Sequence, residues 1–361
     1  MKNKIQITRT QNSRLATLDF NNLPFGRVFT DHMFVADYEG GEWVNPRIEP
    51  FAPFEMHPAS MVLHYGQSIF EGMKATKNQE GQPMLLRPEM HLHRINASAE
   101  RMCMPAFPKD LFLDALHALV GLEADWIPSG EESALYLRPF MFSTDEFIGV
   151  RPSDSYKFII FTCPVGPYYS KPVRLLAETQ YIRAGKGGTG EAKAAGNYAA
   201  SLLPAQNALK QGFDQVMWLE GPEFKNIQES GTMNIFFVLD GVVVTPYTDG
   251  TILKGITRDS FLHILRDKGI PVEERTITID EVVAAHAAGK LQECFGAGTA
   301  AVVSHVSEIS YNGHLMTLPA IELRKIGNML KSEIAGLRTG RIADTRGWMV
   351  PVEIEVDALM G

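Results

Sequence analysis

The segment "NIFFVLDGVVVTP", Asn234 to Pro246, restricts the fold more than any other stretch of the chain. Two runs of β-branched and aromatic residues flank Asp240-Gly241. Asp-Gly tolerates the positive φ angles of a two-residue hairpin, so the segment reads as two strands folded back on each other. The same break removes the best candidate for a membrane helix, which needs about 20 apolar residues in succession. "RVFTDHMFVADYEGGEWV" reads as a second hairpin with a Gly-Gly turn, and "LQECFGAGTAAVVSHVSEISYNG" as strand, glycine turn and strand. "ALYLRPFMFST", "KFIIFTCPVG", "VRLLAETQYIRA" and "FDQVMWLEG" add further strand regions.

Helical periodicity interrupts these strands in "MHLHRINASAERMC", in "KDLFLDALHALVGLEADWI", in "TRDSFLHILRDKG", which ends at Gly269, and in "TIDEVVAAHAAGK", capped by Thr278 or Asp280. A helix in "ASLLPAQNALKQG" starts late or kinks, because proline is tolerated only in a first turn. This mixed order indicates an α+β chain without clean βαβ alternation. A length of 361 residues suggests two domains. The composition changes at "GPYYSKPVRLL". We therefore expect a small N-terminal domain over 1–170, a connection over 171–185 and a larger domain over 186–361.

A chain 45% hydrophobic and 21% charged, with a formal net charge of -8, has the balance of a soluble globular protein and gives no sign of a nucleic-acid partner. Cys103, Cys163 and Cys294 are scattered and odd in number, so they form no disulfide framework or metal set and fit a reducing compartment, the cytoplasm. The N-terminal residues lack the apolar core of a secretory signal. His91 and His93 in "HLH" have no further clustered ligands and read as surface or packing residues, so no metal is expected.

Tyr181 to Leu209, "YIRAGKGGTGEAKAAGNYAASLLPAQNAL", is the chemically loaded stretch. It sets five glycines and eight alanines around Lys186 and Lys193. Gly185, Gly187 and Gly190 satisfy the dinucleotide pattern G-x-G-x-x-G. The acid that pattern wants about 20 residues on is Asp214, which begins a strand where the pattern needs it to end one. The phosphate-loop pattern fails, since Gln180 stands where it needs its first glycine. The other reading is a reactive lysine: Ala192, Ala194, Ala195 and Gly196 would let a flat ring lie close to the backbone beside Lys193. The rival is a noncatalytic phosphate-binding loop with Lys193 as an ordinary surface lysine.

"KGGTGEAKAAGNYAASL", "QESGTMNIFFV", "GTILKGITRDSFL" and "FGAGTAAVVSHV", with "FGRVFTDHMF", "LHYGQSIFEGMKA", "RPEMHLHRINASAERM", "LYLRPF" and "CPVGPYY" before them, resemble the branched-chain amino-acid aminotransferases in the same order. The likeness runs from about Phe25 to about Trp348. It implies the fold type IV architecture of the D-amino-acid-aminotransferase-like enzymes. A smaller N-terminal α/β domain and a larger, pseudo-barrel-like C-terminal domain would then hold pyridoxal 5′-phosphate between them.

Residue by residue, the resemblance implies that Lys193 bonds the cofactor and shuttles the substrate proton. Tyr198 would bond the phenolic oxygen and Glu229 the pyridine nitrogen. Arg94, Ile256, Thr257 and Thr299 would bind the phosphate; Thr257 also reads as a plain helix N-cap. Phe25, Tyr65, Phe70, Tyr136 and Tyr168 would line an apolar pocket, though each reads equally as a core residue. Arg138, Thr232 and Ala300 would handle substrate carboxylates. Tyr65 would come from a partner subunit, which implies a homodimer. The implied reaction is reversible transamination between leucine, isoleucine or valine and 2-oxoglutarate, with glutamate and branched 2-oxo acids as products. D-Amino-acid transamination and 4-amino-4-deoxychorismate lyase chemistry are the alternatives on this fold. Two departures stand out. Ala195-Gly196 occupies the place of Gly-Gly in many relatives, and Ala301 and Ser304 stand where some relatives carry a redox-sensitive cysteine pair.

Overall fold

The structure is a computed structural model and describes residues 5–166 and 171–353. Its described residues form two compact units. One holds 5–166, 192–195 and 335–353; the other holds 171–191 and 196–334.

The first unit is built on a nine-stranded sheet. Its order is Gln6–Ile7, Glu42–Pro50, His32–Glu39, Tyr156–Val165, Ala134–Ser143, Met73–Lys77, Pro83–Leu86 and Met349–Pro351, with Ser68–Phe70 also on Ala134–Ser143. The hairpin read at Gly40-Gly41 is present, with φ of 61° and 91° at the two glycines. Helices Pro88–Arg101 and Lys109–Leu122 bury Leu92, Ile95, Leu111, Phe112 and Leu116 in one core with Phe34, Ile48, Leu85, Leu135 and Leu137 of the sheet. Each such side chain contributes about 1.5–3 kcal/mol of hydrophobic stabilisation. Phe107 stacks on Phe158 with ring centroids 3.7 Å apart.

The second unit contains a closed ring of six strands. Val173–Ala177, Gln215–Leu219, Ile227–Ser230, Met233–Leu239, Leu291–Gly298 and Val302–Tyr311 pair in a cycle, because Ile227–Ser230 joins both Gln215–Leu219 and Met233–Leu239. Closure removes the sheet edges and gives the barrel-like domain that the resemblance implies. The Asp-Gly hairpin forms as read: Asp240 and Gly241 take φ of 50° and 84° between Met233–Leu239 and Val242–Thr245. Of the two cap candidates for helix Ile279–Ala287, Thr278 serves, accepting from the Glu281 amide. The helix read across Pro204 is two helices, Ala195–Ala200 and Leu202–Lys210, so Pro204 falls in a first turn.

The packing divides the chain differently from the expected boundaries. Ala192 and Ala194 lie in the first unit's core, and Met349–Pro351 extends the first unit's sheet. Both segments fall within the span expected for the larger domain, because composition locates one boundary but cannot show a short segment crossing it.

Candidate active site

In the first unit, strands Ser68–Phe70 and Met73–Lys77 pair with different parts of Ala134–Ser143. The break between them is Glu71-Gly72, opposite Pro139. There the Glu71 amide donates to the Pro139 carbonyl at 2.7 Å. Gly72 is required at this place: a Cβ on it would lie 2.0 Å from the Tyr136 hydroxyl oxygen.

The Glu71 carboxylate is wholly buried and accepts four bonds. They come from Arg94 Nε at 2.6 Å, Arg94 Nη2 at 2.8 Å, His91 Nδ1 at 2.7 Å and the Gly72 amide at 3.2 Å. Burial alone would raise its pKa, but Arg94 and His91 overrule that and hold it well below the usual carboxylate range. Burial also lowers the His91 pKa, although Glu71 opposes the shift. The histidine that invited a metal reading is thus a packing residue, and no group of metal ligands occurs among the described residues.

His91, Arg94 and Ser98 share one face of helix Pro88–Arg101. Ser98 Oγ accepts from the Lys193 amide at 2.9 Å, and the Phe70 amide donates to the Lys193 carbonyl at 3.0 Å. Ala194 pairs with Ile69 as an isolated bridge. Lys193 is therefore held on both sides of its backbone, and its Nζ lies 4.9 Å from the Phe70 ring centroid.

An aromatic wall follows. Tyr136 meets Phe25 edge-on with centroids 5.1 Å apart. The Arg138 guanidinium lies 4.7 Å from the Phe70 centroid and donates from Nη2 to the Tyr136 hydroxyl at 3.1 Å. Arg138 Nε is buried with no acceptor among the described residues. The first unit thus brings Lys193, Arg94, Phe25, Phe70, Tyr136 and Arg138 into one network. Tyr65 ends helix Met61–Tyr65 and is 39% exposed. Tyr168 lies outside the described residues.

In the second unit, Glu229 is buried on strand Ile227–Ser230. The Leu253 amide donates to one carboxylate oxygen at 2.8 Å, and Arg183 Nε stands 3.4 Å from the other. Arg183 Nη2 donates to the Gly190 carbonyl at 3.0 Å and also to the Thr251 carbonyl. Gly190 has to be glycine here, since a Cβ would lie 2.4 Å from the Thr251 carbonyl oxygen. Asn234 Nδ2 donates to the Leu253 carbonyl at 2.9 Å, which ties down the loop before helix Ile256–Asp267.

That helix is capped by Gly255 with no side-chain hydrogen bond, so Ile256 and Thr257 present uncapped first-turn amides. Thr257 lies inside the helix and is not the N-cap. Thr299 and Ala300 occupy the turn after Leu291–Gly298, beside Val302, a β-branched residue held at φ 61°. Thr232 is exposed next to Gly231 in the turn before Met233–Leu239, and Tyr198 is half-buried on helix Ala195–Ala200. Lys186 keeps its loop reading: its side chain is exposed, 3.8 Å from Glu220.

Residue reading missed Glu71, Gly72, Arg183 and Asn234. An available signal for the first was an acid inside the otherwise apolar run "SIFEGMKA".

The family model for amino-transferase class IV matches residues 68–309. The branched-chain-amino-acid aminotransferase 2 of Bacillus subtilis (strain 168) is 46% identical, over 97% of this chain and 96% of that protein. The branched-chain-amino-acid aminotransferase of Mycolicibacterium smegmatis is 41% identical, over 91% of this chain and 92% of that one. The crystal structure of the Thermoproteus uzoniensis branched-chain aminotransferase with norvaline superposes with a TM-score of 0.72 at 26% identity, covering 89% of this chain and 100% of that one. A bacterial branched-chain amino acid aminotransferase solved with pyridoxamine 5′-phosphate gives a TM-score of 0.70 at 26% identity, covering 88% and 98%.

The fold and the lysine-centred site are those of a pyridoxal-phosphate transaminase of fold type IV. Within that class, the chain belongs to the class IV aminotransferases and to their branched-chain-amino-acid aminotransferase family. Its residues fit the cofactor. A lysine with a fixed backbone, a buried carboxylate beside an arginine and an uncapped helix start are the donor set that a pyridoxal ring and its phosphate require. No described helix is long and apolar enough to cross a membrane.

Proposed function

We propose that the chain moves an amino group reversibly between L-leucine, L-isoleucine or L-valine and 2-oxoglutarate. The observation that carries this is the company of Arg138. A guanidinium with a buried, unsatisfied Nε is set into a wall of Phe70, Tyr136 and Phe25. Such a wall takes an apolar side chain, and the guanidinium takes a distal carboxylate when glutamate or 2-oxoglutarate replaces it. Methylene differences among the three aliphatic substrates change binding by only about 1–3 kcal/mol, so all three are accepted.

The cofactor supplies an aldehyde for amines and an electron sink for the substrate Cα. Lys193 Nζ holds the proton that leaves and returns at Cα, and its fixed backbone restricts where that amine reaches. Glu229 holds a proton at the pyridine nitrogen, oriented by the Leu253 amide and Arg183. Tyr198 donates to the phenolic oxygen. Arg94, the amides of Ile256 and Thr257 and the Thr299 hydroxyl bind the phosphate. Thr232 and Ala300 serve the substrate α-carboxylate. Tyr168 completes the apolar pocket.

The working form in this reading is a homodimer in which Tyr65 serves the partner's pocket. Its 39% exposure beside exposed Leu63 supports that role. Unpaired Cys103, Cys163 and Cys294 support a cytoplasmic setting.

A panel of L- and D-amino acids with 2-oxoglutarate tests the substrate reading. L-Leucine, L-isoleucine and L-valine should be the preferred donors; a preference for D-alanine over L-leucine would overturn it.

A further inference from the structure

Glu71 has no part in the reading above, yet it is the most heavily bonded carboxylate of the first unit's cluster. It is 0% exposed and accepts from Arg94 Nε, Arg94 Nη2, His91 Nδ1 and the Gly72 amide. These donors meet the roughly four lone-pair sites a carboxylate offers. The two Arg94 bonds form a bidentate fork, which fixes the guanidinium plane as well as its distance. Its own backbone is equally fixed, by the bond from the Glu71 amide to the Pro139 carbonyl.

The position in the chain matters as much as the bonds. Phe70, Glu71 and Gly72 are consecutive, and each touches a different site group. The Phe70 amide holds the Lys193 carbonyl, the Glu71 carboxylate holds Arg94, and Gly72 leaves room for the Tyr136 hydroxyl. One strand break thus sets the reactive lysine, the phosphate arginine and the substrate wall in register. His91, buried beside Glu71, fills the side of the carboxylate that Arg94 does not take.

We propose that Glu71 is a positioning residue for cofactor binding: it locks the Arg94 guanidinium to receive the phosphate, with His91 holding Glu71 in turn. This rests on the reading of Arg94 as a phosphate ligand.

The test compares pyridoxal 5′-phosphate with pyridoxal, which lacks the phosphate. Both are titrated into the cofactor-free full-length chain and followed by cofactor absorbance. In Glu71→Gln the amide NH2 faces either Arg94 or His91, donor against donor, and the fork is lost. Affinity for pyridoxal 5′-phosphate should fall at least about tenfold, and that for pyridoxal should change less than about twofold. Glu71→Asp retains the charge, one methylene short, and should lose an intermediate factor; it serves if the glutamine variant fails to fold. An unchanged ratio between the two ligands, an equal loss of both, or tighter binding of the phosphorylated one would overturn the proposal. Arg94→Gln separates the two levels. If it lowers the ratio while both Glu71 variants leave it alone, only the positioning role fails. If Arg94→Gln leaves the ratio unchanged, the phosphate assignment of Arg94 fails first.

Discussion

The Tyr136 hydroxyl occupies the space a side chain would need at Gly72: a Cβ there would lie 2.0 Å from the oxygen and 2.8 Å from Cζ. Neither group can yield cheaply, since Gly72 sits in the strand break and Tyr136 lies in mid-strand, 7% exposed. Gly72→Ala should therefore push the Tyr136 ring out of the wall and cost about 1–3 kcal/mol in overpacking. Misplacement by about 1 Å near the reacting centre can lower kcat/KM for leucine by about 10²-fold. Thermal unfolding and steady-state kinetics check both. Adding Tyr136→Phe removes the clashing oxygen, so the double variant should recover part of the stability lost.

Arg138 should act on one half of the reaction. Arg138→Gln removes the guanidinium that faces Phe70 and Tyr136 while keeping a polar side chain of similar reach. A lost charge-assisted bond is worth about 1.5–3 kcal/mol, so single-turnover reaction with glutamate should weaken by about 10- to 100-fold. Reaction with leucine should stay within a few-fold. Equal loss with both substrates would remove Arg138 from the distal-carboxylate role.

The glycines of "GKGGTG" separate packing from the dinucleotide pattern. A Cβ on Gly185 would meet its nearest neighbour, the Ile182 side chain, at 3.8 Å, an ordinary contact. On Gly190 it would meet the Thr251 carbonyl at 2.4 Å and Ala184 Cβ at 2.6 Å, where Arg183 clamps the two loops. Gly185→Ala should shift stability by less than about 0.5 kcal/mol. Gly190→Ala should cost about 1–3 kcal/mol. Urea unfolding of the two variants distinguishes them.

Much of this is legible in the chain, for identifiable reasons. Hairpins announced by Gly40-Gly41 and Asp240-Gly241 form because their turn chemistry is local. The Thr278 cap likewise acts within three residues. Helix Ile326–Arg338 is an element that the sequence reading lacks. The supporting residues of the site are hidden for a different reason. Glu71 acquires meaning only from Arg94, 23 residues away, and Arg183 only from Glu229 and Thr251. Nothing local marks such pairs. The membership of Lys193 in the first unit's packing is equally invisible, since it depends on Ser98 and Phe70.

Acid should weaken the second unit through His305. Burial, with the charge of Arg324 adding to it, pushes the His305 pKa down from 6.5 to about 4, against the bond to Asn328. The unfolded chain then binds a proton that the folded chain refuses, so folded stability from this group is complete above pH 6.5 and declines as the pH falls towards 4. His305→Gln should flatten the loss of unfolding free energy across that window relative to wild type. Denaturant midpoints at a series of pH values check it, and parallel profiles would contradict it.

Everything proposed for the site depends on Lys193, held by Ser98 and Phe70, being the amine that bonds the cofactor. Borohydride reduction of the cofactor-loaded protein, followed by peptide mapping, tests it directly. The adduct should lie on Lys193 and on no other lysine. An adduct on exposed Lys186, an adduct on buried Lys74, or no adduct at all would contradict the account.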